Sequence, residues 1–280
     1  MLKDITFGQY YPADSFVHKM DPRSKLILSL IYMVSVFFVD SFFQFAFIAL
    51  LLCLMIIFSK LPVKTVFKTV KPVLILVTIT ALLNLFFVQS GEVLWEWWII
   101  KLTSGGVIYS LRMVLRLLFI VMGASILTLT TTPLLLTDGL EKLLSPLNKI
   151  HFPVHELALI MSIALRYIPT LMDEADRIIR AQKARGADFD TGSIFKRVKA
   201  FIPILIPLLI SSLRSADELA LAMESRCYGY TEKRTKLKIL RFTSRDLIAS
   251  LTVILLIGAM LVIKYNASVW GESFPWMYYL

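Results

Sequence analysis

A chain of 280 residues that is 57% hydrophobic, with a mean hydropathy of +0.73, exceeds the apolar share of soluble domains, about 45–50%, so a water-soluble fold is not expected. The net charge of +10 comes without a Cys/His finger or an aromatic-interleaved basic sheet pattern, which excludes nucleic acid as the expected partner and points to an anionic membrane face. Two cysteines, Cys53 in an apolar run and Cys227 in a polar helix, are too few and too ill-matched for a disulfide framework and fit a reducing interior.

The N-terminal residues through Lys25 lack the apolar core and small-residue cleavage site of a secretory signal, so insertion is expected to rely on internal apolar runs. Runs at 26–39, 42–58, 72–88, 106–131 and 247–263 are read as five spans, because a hydrocarbon core about 30 Å thick needs about 20 helical residues. Asp21-Pro22 supplies an N-cap and a first-turn proline to the first. Asp40-Ser41 separates the first from the second. Asn84 in the third can hydrogen-bond a neighbouring helix, and Gly105-Gly106 marks the turn into the fourth. Arg112 and Arg116, one turn apart in the outer part of the fourth span, are expected to snorkel to the interface, a substrate or ion path being the alternative.

Two further apolar runs, 157–165 and 200–213, are not read as spans. The first is expected to end at Arg166 and Pro169, and the second carries Pro203 and Pro207 one turn apart. Were both to cross, the stretch between them, with Arg177, Arg180, Lys183, Arg185, Lys196, Arg197 and Lys199, would be translocated against the positive-inside rule. With five spans and an inside N-terminus, 26 of the 30 Lys and Arg lie inside, leaving only Lys101, Arg112, Arg116 and Lys264 in the outer half. Trp95, Trp97, Trp98, Trp270, Trp276, Tyr278 and Tyr279 then fall at the outer headgroup belt. The fold class is therefore an all-α integral membrane protein of about five transmembrane helices, with a helical cytoplasmic domain inserted before the last. The expected organisation is 1–132 for spans one to four, 133–245 for the inserted domain, and 246–280 for the last span and an outer tail.

Inside the insertion, two helix ends align at a fixed offset. Ala175, Asp176, Ala181 and Arg185 coincide with Ala216, Asp217, Ala222 and Arg226. Each segment shows acids early (Asp173, Glu174, Asp176; Asp217, Glu218) and arginine late, as the helix dipole favours, and Gly186 and Gly229 can supply left-handed stops. Small neighbours would let each end enter a groove where Arg offers a planar donor fork to a carboxylate, and two similar plugs imply two similar sockets. Catalytic signatures are missing: no P-loop, no nucleophile elbow, and His151 and His155 are separated by Pro153 without HExxH order, so no metal or cofactor is expected on this chain.

The motifs Asp21-Pro-Arg-Ser-Lys, Leu129-Thr-Thr-Thr-Pro133, Leu165-Arg-Tyr-Ile-Pro169, Ala181-Gln-Lys-Ala-Arg-Gly186 and Ala222-Met-Glu-Ser-Arg-Cys-Tyr-Gly229 together resemble the transmembrane T component, EcfT, of energy-coupling factor (ECF) transporters, related to the CbiQ proteins of cobalt uptake. The resemblance implies a non-catalytic subunit of an ABC-type importer. Two homologous ATPases of the EcfA type, which carry the ATP and Mg, would dock on Ala184-Arg185-Gly186 and Ser225-Arg226-Cys227, the second departing from the commoner Ala-Arg-Gly form. A membrane S component would bind the vitamin or other micronutrient and meet the apolar face at Phe201, Ile202, Pro203, Ile206, Pro207 and Ile210. The implied location is the cell membrane, multi-pass, N-terminus cytoplasmic and C-terminus outside. A conventional ABC permease would instead line a channel with polar residues, and an intramembrane enzyme would need paired carboxylates or His within its spans.

Overall fold

The computed structural model describes residues 10–88, 90, 92–97, 100–187, 194–229 and 240–270. In chain order these form α1 (Pro22–Phe37), α2 (Phe42–Ser59), α3 (Val63–Phe87), strands β1 (Val93–Trp97) and β2 (Ile100–Thr103), α4 (Ser104–Thr130), α5 (Pro133–Leu144), a 3₁₀ segment (Ser145–Ile150), α6 (Val154–Ala184), α7 (Ile194–Ser225) and α8 (Ser244–Trp270). Contacts divide the chain into two compact units, Gly8–Lys149 with Arg241–Leu280, and Ile150–Leu240. The architecture is that of an all-α membrane protein. The antiparallel β1–β2 ladder, with Trp95 opposite Leu102 and Trp97 opposite Ile100, is a local addition not expected from the sequence. Trp98, Trp276, Tyr278 and Tyr279 of the expected aromatic belt lie outside the described residues.

In the first unit the helix boundaries follow local chemistry. Asp21 caps α1, its carboxylate accepting the Arg23 N–H at 2.9 Å, with Pro22 in the first turn. Ser41 and Gln44 form a reciprocal capping box that starts α2 and separates it from α1. Lys60 ends α2 in the left-handed conformation. The core joins α1, α2, α4 and α8 through Tyr32, Val36, Ile48, Leu51, Ile126, Leu129, Val253 and Met260. Tyr32 donates its hydroxyl to the Phe119 carbonyl at 3.0 Å. Its ring lies against Gly123, where an added Cβ would collide with the ring carbons. Asn84 bonds within α3, to the Thr80 carbonyl, rather than across to a neighbouring helix, while Ser110 of α4 supplies the cross-link by donating to the Ala81 carbonyl. α5 packs back on α1, Gly139 lying against Pro22 and Leu26.

A polar knot ties the start of α1, the end of α4 and the start of α8 together. Lys25, buried, donates to the carbonyls of His18 (3.3 Å) and Thr130 (3.1 Å) and to the Thr131 hydroxyl (3.3 Å). Asp246, also buried, accepts the Asp21 N–H at 2.8 Å and the Thr243 N–H at 2.8 Å, so one carboxylate starts α8 and pins α1. These contacts satisfy main-chain groups that burial would otherwise leave unpaired. They also fix the two places, α4 and α8, between which the second unit is inserted in the chain.

Among the described residues five helices are long and apolar enough to cross a bilayer: α2, α3, α4, α6 and α8. The number agrees with the expected five, but the membership differs. α1 has 16 residues, about 24 Å of helix, short of the hydrocarbon thickness. α6 is continuous through Pro169 for 31 residues, so proline does not cut its apolar run as expected. α7 likewise runs through Pro203 and Pro207. Each proline removes one helical hydrogen bond but its fixed φ remains helical, and a long helix with neighbouring turns intact absorbs the loss. α6 belongs with α7 to the Ile150–Leu240 unit, apart from the other four.

Gly123→Ala forces the Tyr32 ring or the α1–α4 spacing to move and is expected to lower stability by about 1–3 kcal/mol, read as a reduced unfolding temperature of the detergent-solubilised chain. Asp246→Ala strips acceptors from two buried N–H groups, with an expected loss of about 2–5 kcal/mol, measured the same way.

Candidate functional site

The two arginine-bearing helix ends close by the same main-chain geometry. At the end of α6, the Gly186 N–H reaches the Lys183 carbonyl at 3.0 Å and the Ala187 N–H reaches back to the Gln182 carbonyl at 3.0 Å. At the end of α7, the Cys227 N–H reaches the Glu224 carbonyl at 2.8 Å and the Tyr228 N–H reaches the Met223 carbonyl at 3.0 Å. The paired bonds are those of a Schellman motif, which requires a left-handed residue just past the helix. Gly186 takes that place with φ +87° and Cys227 with φ +56°. Every donor and acceptor of the first closure has its counterpart at the same offset in the second. The equivalence of Arg185 and Arg226 is thus conformational as well as sequential.

This corrects one assignment made from sequence. Gly229 does have a positive φ of +98°, yet the residue that closes α7 is Cys227. A β-carbon in the left-handed region costs about 1–2 kcal/mol, so the second closure holds its shape against a local preference. The alignment had placed Cys227 opposite Gly186, which was the available signal. The acids are also placed differently. Asp173, Glu174, Asp176, Asp217 and Glu218 lie deep inside helices that start at Val154 and Ile194, so they gain nothing from the N-terminal dipole. The arginines, at the helix ends, keep the favourable C-terminal position.

Glu174 instead helps join the helices: it accepts the Ser211 hydroxyl at 2.9 Å, and the Tyr167 hydroxyl donates to the Ser215 carbonyl at 3.5 Å. Advancing along α6 from Tyr167 to Glu174 moves backwards along α7, so the two run antiparallel through their contact. Glu174 to Arg185 and Ser215 to Arg226 are each eleven residues, about 16 Å of helix. The arginines therefore occupy opposite arms of one helix pair.

Ala184, Arg185, Gly186, Ser225, Arg226 and Cys227 are all exposed, and a Cβ added at Gly186 would meet nothing within 4 Å. Neither arginine makes an ion pair with a described residue. Two charged forks thus stand at bare helix ends with their donors turned to solvent. On α7, Phe201, Ile202, Pro203, Ile206, Pro207 and Ile210 are exposed as well, and Leu205, Leu209 and Leu213, which the sequence reading did not single out, extend the same apolar face. Ile204 points inward, 5% exposed. So much exposed aliphatic surface marks a binding face for protein or lipid.

A family model described as cobalt transport protein (CbiQ) matches residues 13–237. A protein of Clostridium kluyveri named energy-coupling factor transporter transmembrane protein EcfT is 51% identical over 258 residues, 92% of this chain and 96% of that protein. Proteins of the same name from Ruminiclostridium cellulolyticum, 47% identical over 94% of this chain and 98% of theirs, and from Staphylococcus aureus, 42% identical over 95% and 99%, are similar along their length. With the five apolar helices these matches describe a multi-pass membrane protein, and the chain belongs to the CbiQ family of transport proteins, among its EcfT members.

Proposed function

We propose that this chain is the energy-coupling transmembrane component of an ECF importer, a non-catalytic subunit that passes ATP-driven motion from two homologous EcfA-type ATPases to an S component that binds a vitamin or other micronutrient. The observation that carries the reading is the pair of identically closed helix ends, each offering one exposed arginine from opposite arms of the α6–α7 pair. ATP and Mg belong to the partner chains. On the proposed topology the N-terminus and the Ile150–Leu240 unit are cytoplasmic and the C-terminus is outside, as the distribution of Lys and Arg favours.

The chemistry suits docking. Each guanidinium enters a groove on one ATPase and meets a carboxylate by two parallel hydrogen bonds, stronger than a neutral pair and geometrically specific. The Schellman closure removes competing main-chain donors and acceptors from the tip, so the side chain is the group left to bind. Helices α6 and α7 are continuous for 31 and 32 residues, so a change in separation of the two ATPases on binding ATP becomes a change in the angle between the arms. The apolar face of α7 at Phe201, Ile202, Pro203, Ile206, Pro207 and Ile210, with Leu205 and Leu209, would carry that motion to the S component.

Arg185→Glu combined with Arg226→Glu is expected to abolish co-purification of both ATPases and ATP-dependent uptake, since an unpaired buried charge at an interface costs about 2–5 kcal/mol per site; a stable complex with normal uptake would overturn the reading. Cys227→Gly relieves left-handed strain, so it is expected to raise stability by about 1 kcal/mol and to leave ATPase association intact, both measured on the purified complex.

A further inference from the structure

Three cations and one carboxylate gather at the turn between α1 and α2. Lys264 of α8 donates to Asp40 at 2.6 Å and to the Phe38 carbonyl at 2.9 Å. Arg116 of α4 donates to the Val39 carbonyl and lies 3.7 Å from Asp40. These bonds supply donors to the Phe38 and Val39 carbonyls just past the end of α1. Arg112, one turn earlier on α4, sits over the Phe42 ring at 5.4 Å and makes no hydrogen bond or ion pair with any described residue. The Nε atoms of Arg112 and Arg116 are both buried without a partner.

Among the described residues this cluster is incomplete. Lys264 and Arg116 already share the Asp40 carboxylate, so the group carries two positive charges in excess. A guanidinium at membrane depth is costly unless something paired or wet faces it. The missing acceptor has a local source. α1, at 16 residues, falls about 6 Å short of a 30 Å hydrocarbon core. Its Asp21 end is anchored by charged groups at one interface, so its other end lies below the opposite headgroups, and a short span draws those headgroups inward.

We propose that Arg112, with Arg116 and Lys264, forms a binding site for the phosphodiester of an anionic glycerophospholipid in the leaflet beside the α1–α2 turn. The Arg112 fork takes the phosphate oxygens, and the excess charge selects a lipid without a cationic headgroup. The site rests on the chain being a membrane protein and is independent of ATPase docking, because it requires only this chain.

The test is native mass spectrometry and thermal unfolding of the full-length chain from nanodiscs of equal phosphatidylglycerol and phosphatidylcholine. The wild type is expected to retain phosphatidylglycerol in preference to phosphatidylcholine and to unfold at higher temperature as its fraction rises. Arg112→Gln, at a residue with no hydrogen bond to any described residue, should reduce that preference about tenfold. Arg112→Lys, which keeps the charge but not the fork, should fall between. Equal retention of the two lipids by the wild type would overturn the proposal whatever the variants do. So would unchanged retention in Arg112→Gln, or stabilisation matched by inorganic phosphate in pure phosphatidylcholine, which would make it a free-anion site. Protection of Arg112 from phenylglyoxal only when partner subunits are bound would assign it to a protein carboxylate and likewise overturn it.

Discussion

A helix that ends in water must find donors for its last carbonyls, and the way it does so decides what its tip presents to a partner. In this chain α6 and α7 end by the same pair of main-chain bonds, around Gly186 and around Cys227. The closure uses the polar main chain internally and leaves an arginine as the projecting group at each end. The rest of the proposed mechanism depends on this arrangement. Side chains alone could supply two arginines anywhere, but matched backbone closures supply two arginines in the same local frame, as two related sockets require.

Two matched tips can transmit force only if their helices are joined to each other and their unit is anchored. The first requirement is met by the Glu174–Ser211 and Tyr167–Ser215 bonds between α6 and α7. Within the first unit, two buried groups hold the helices that precede and follow the inserted residues in the chain. Lys25 holds the end of α4 through Thr130 and Thr131, and Asp246 holds the start of α8 to Asp21. The Asp21-Pro-Arg-Ser-Lys segment therefore does more than begin a helix: its buried groups hold the end of α4 and the start of α8 beside α1. The cost of burying these charges is offset by multiple hydrogen bonds to main-chain groups that would otherwise be unsatisfied.

Much of this was legible in the sequence where the signal is local. Asp21-Pro22 and Asp40-Ser41 mark helix boundaries because caps act within one turn, and apolar length alone located α2, α3, α4 and α8. Pro169 misled, because an intrinsic penalty says where a helix is weakened and not where it ends, and Pro203 and Pro207 likewise lie inside a continuous helix, although α7 is not among the helices apolar enough to cross. The left-handed role of Cys227 was hidden by the preference for glycine, although the offset to Gly186 pointed to it. The partners of Arg112, Arg116 and Lys264 were illegible, since they come from residues seventy or more positions away in the chain and depend on how α1, α4 and α8 pack.

The central claim is that Arg185 and Arg226 each sit inside an ATPase subunit in the assembled transporter. A photo-crosslinking amino acid placed at position 185, and separately at 226, in the complete membrane complex tests it most directly. The account predicts a covalent adduct with a nucleotide-hydrolysing subunit from each position, in membranes where neither position is reached by an impermeant reagent added outside. Adducts confined to the S component or to lipid, or labelling of either position from the outer face, would contradict it.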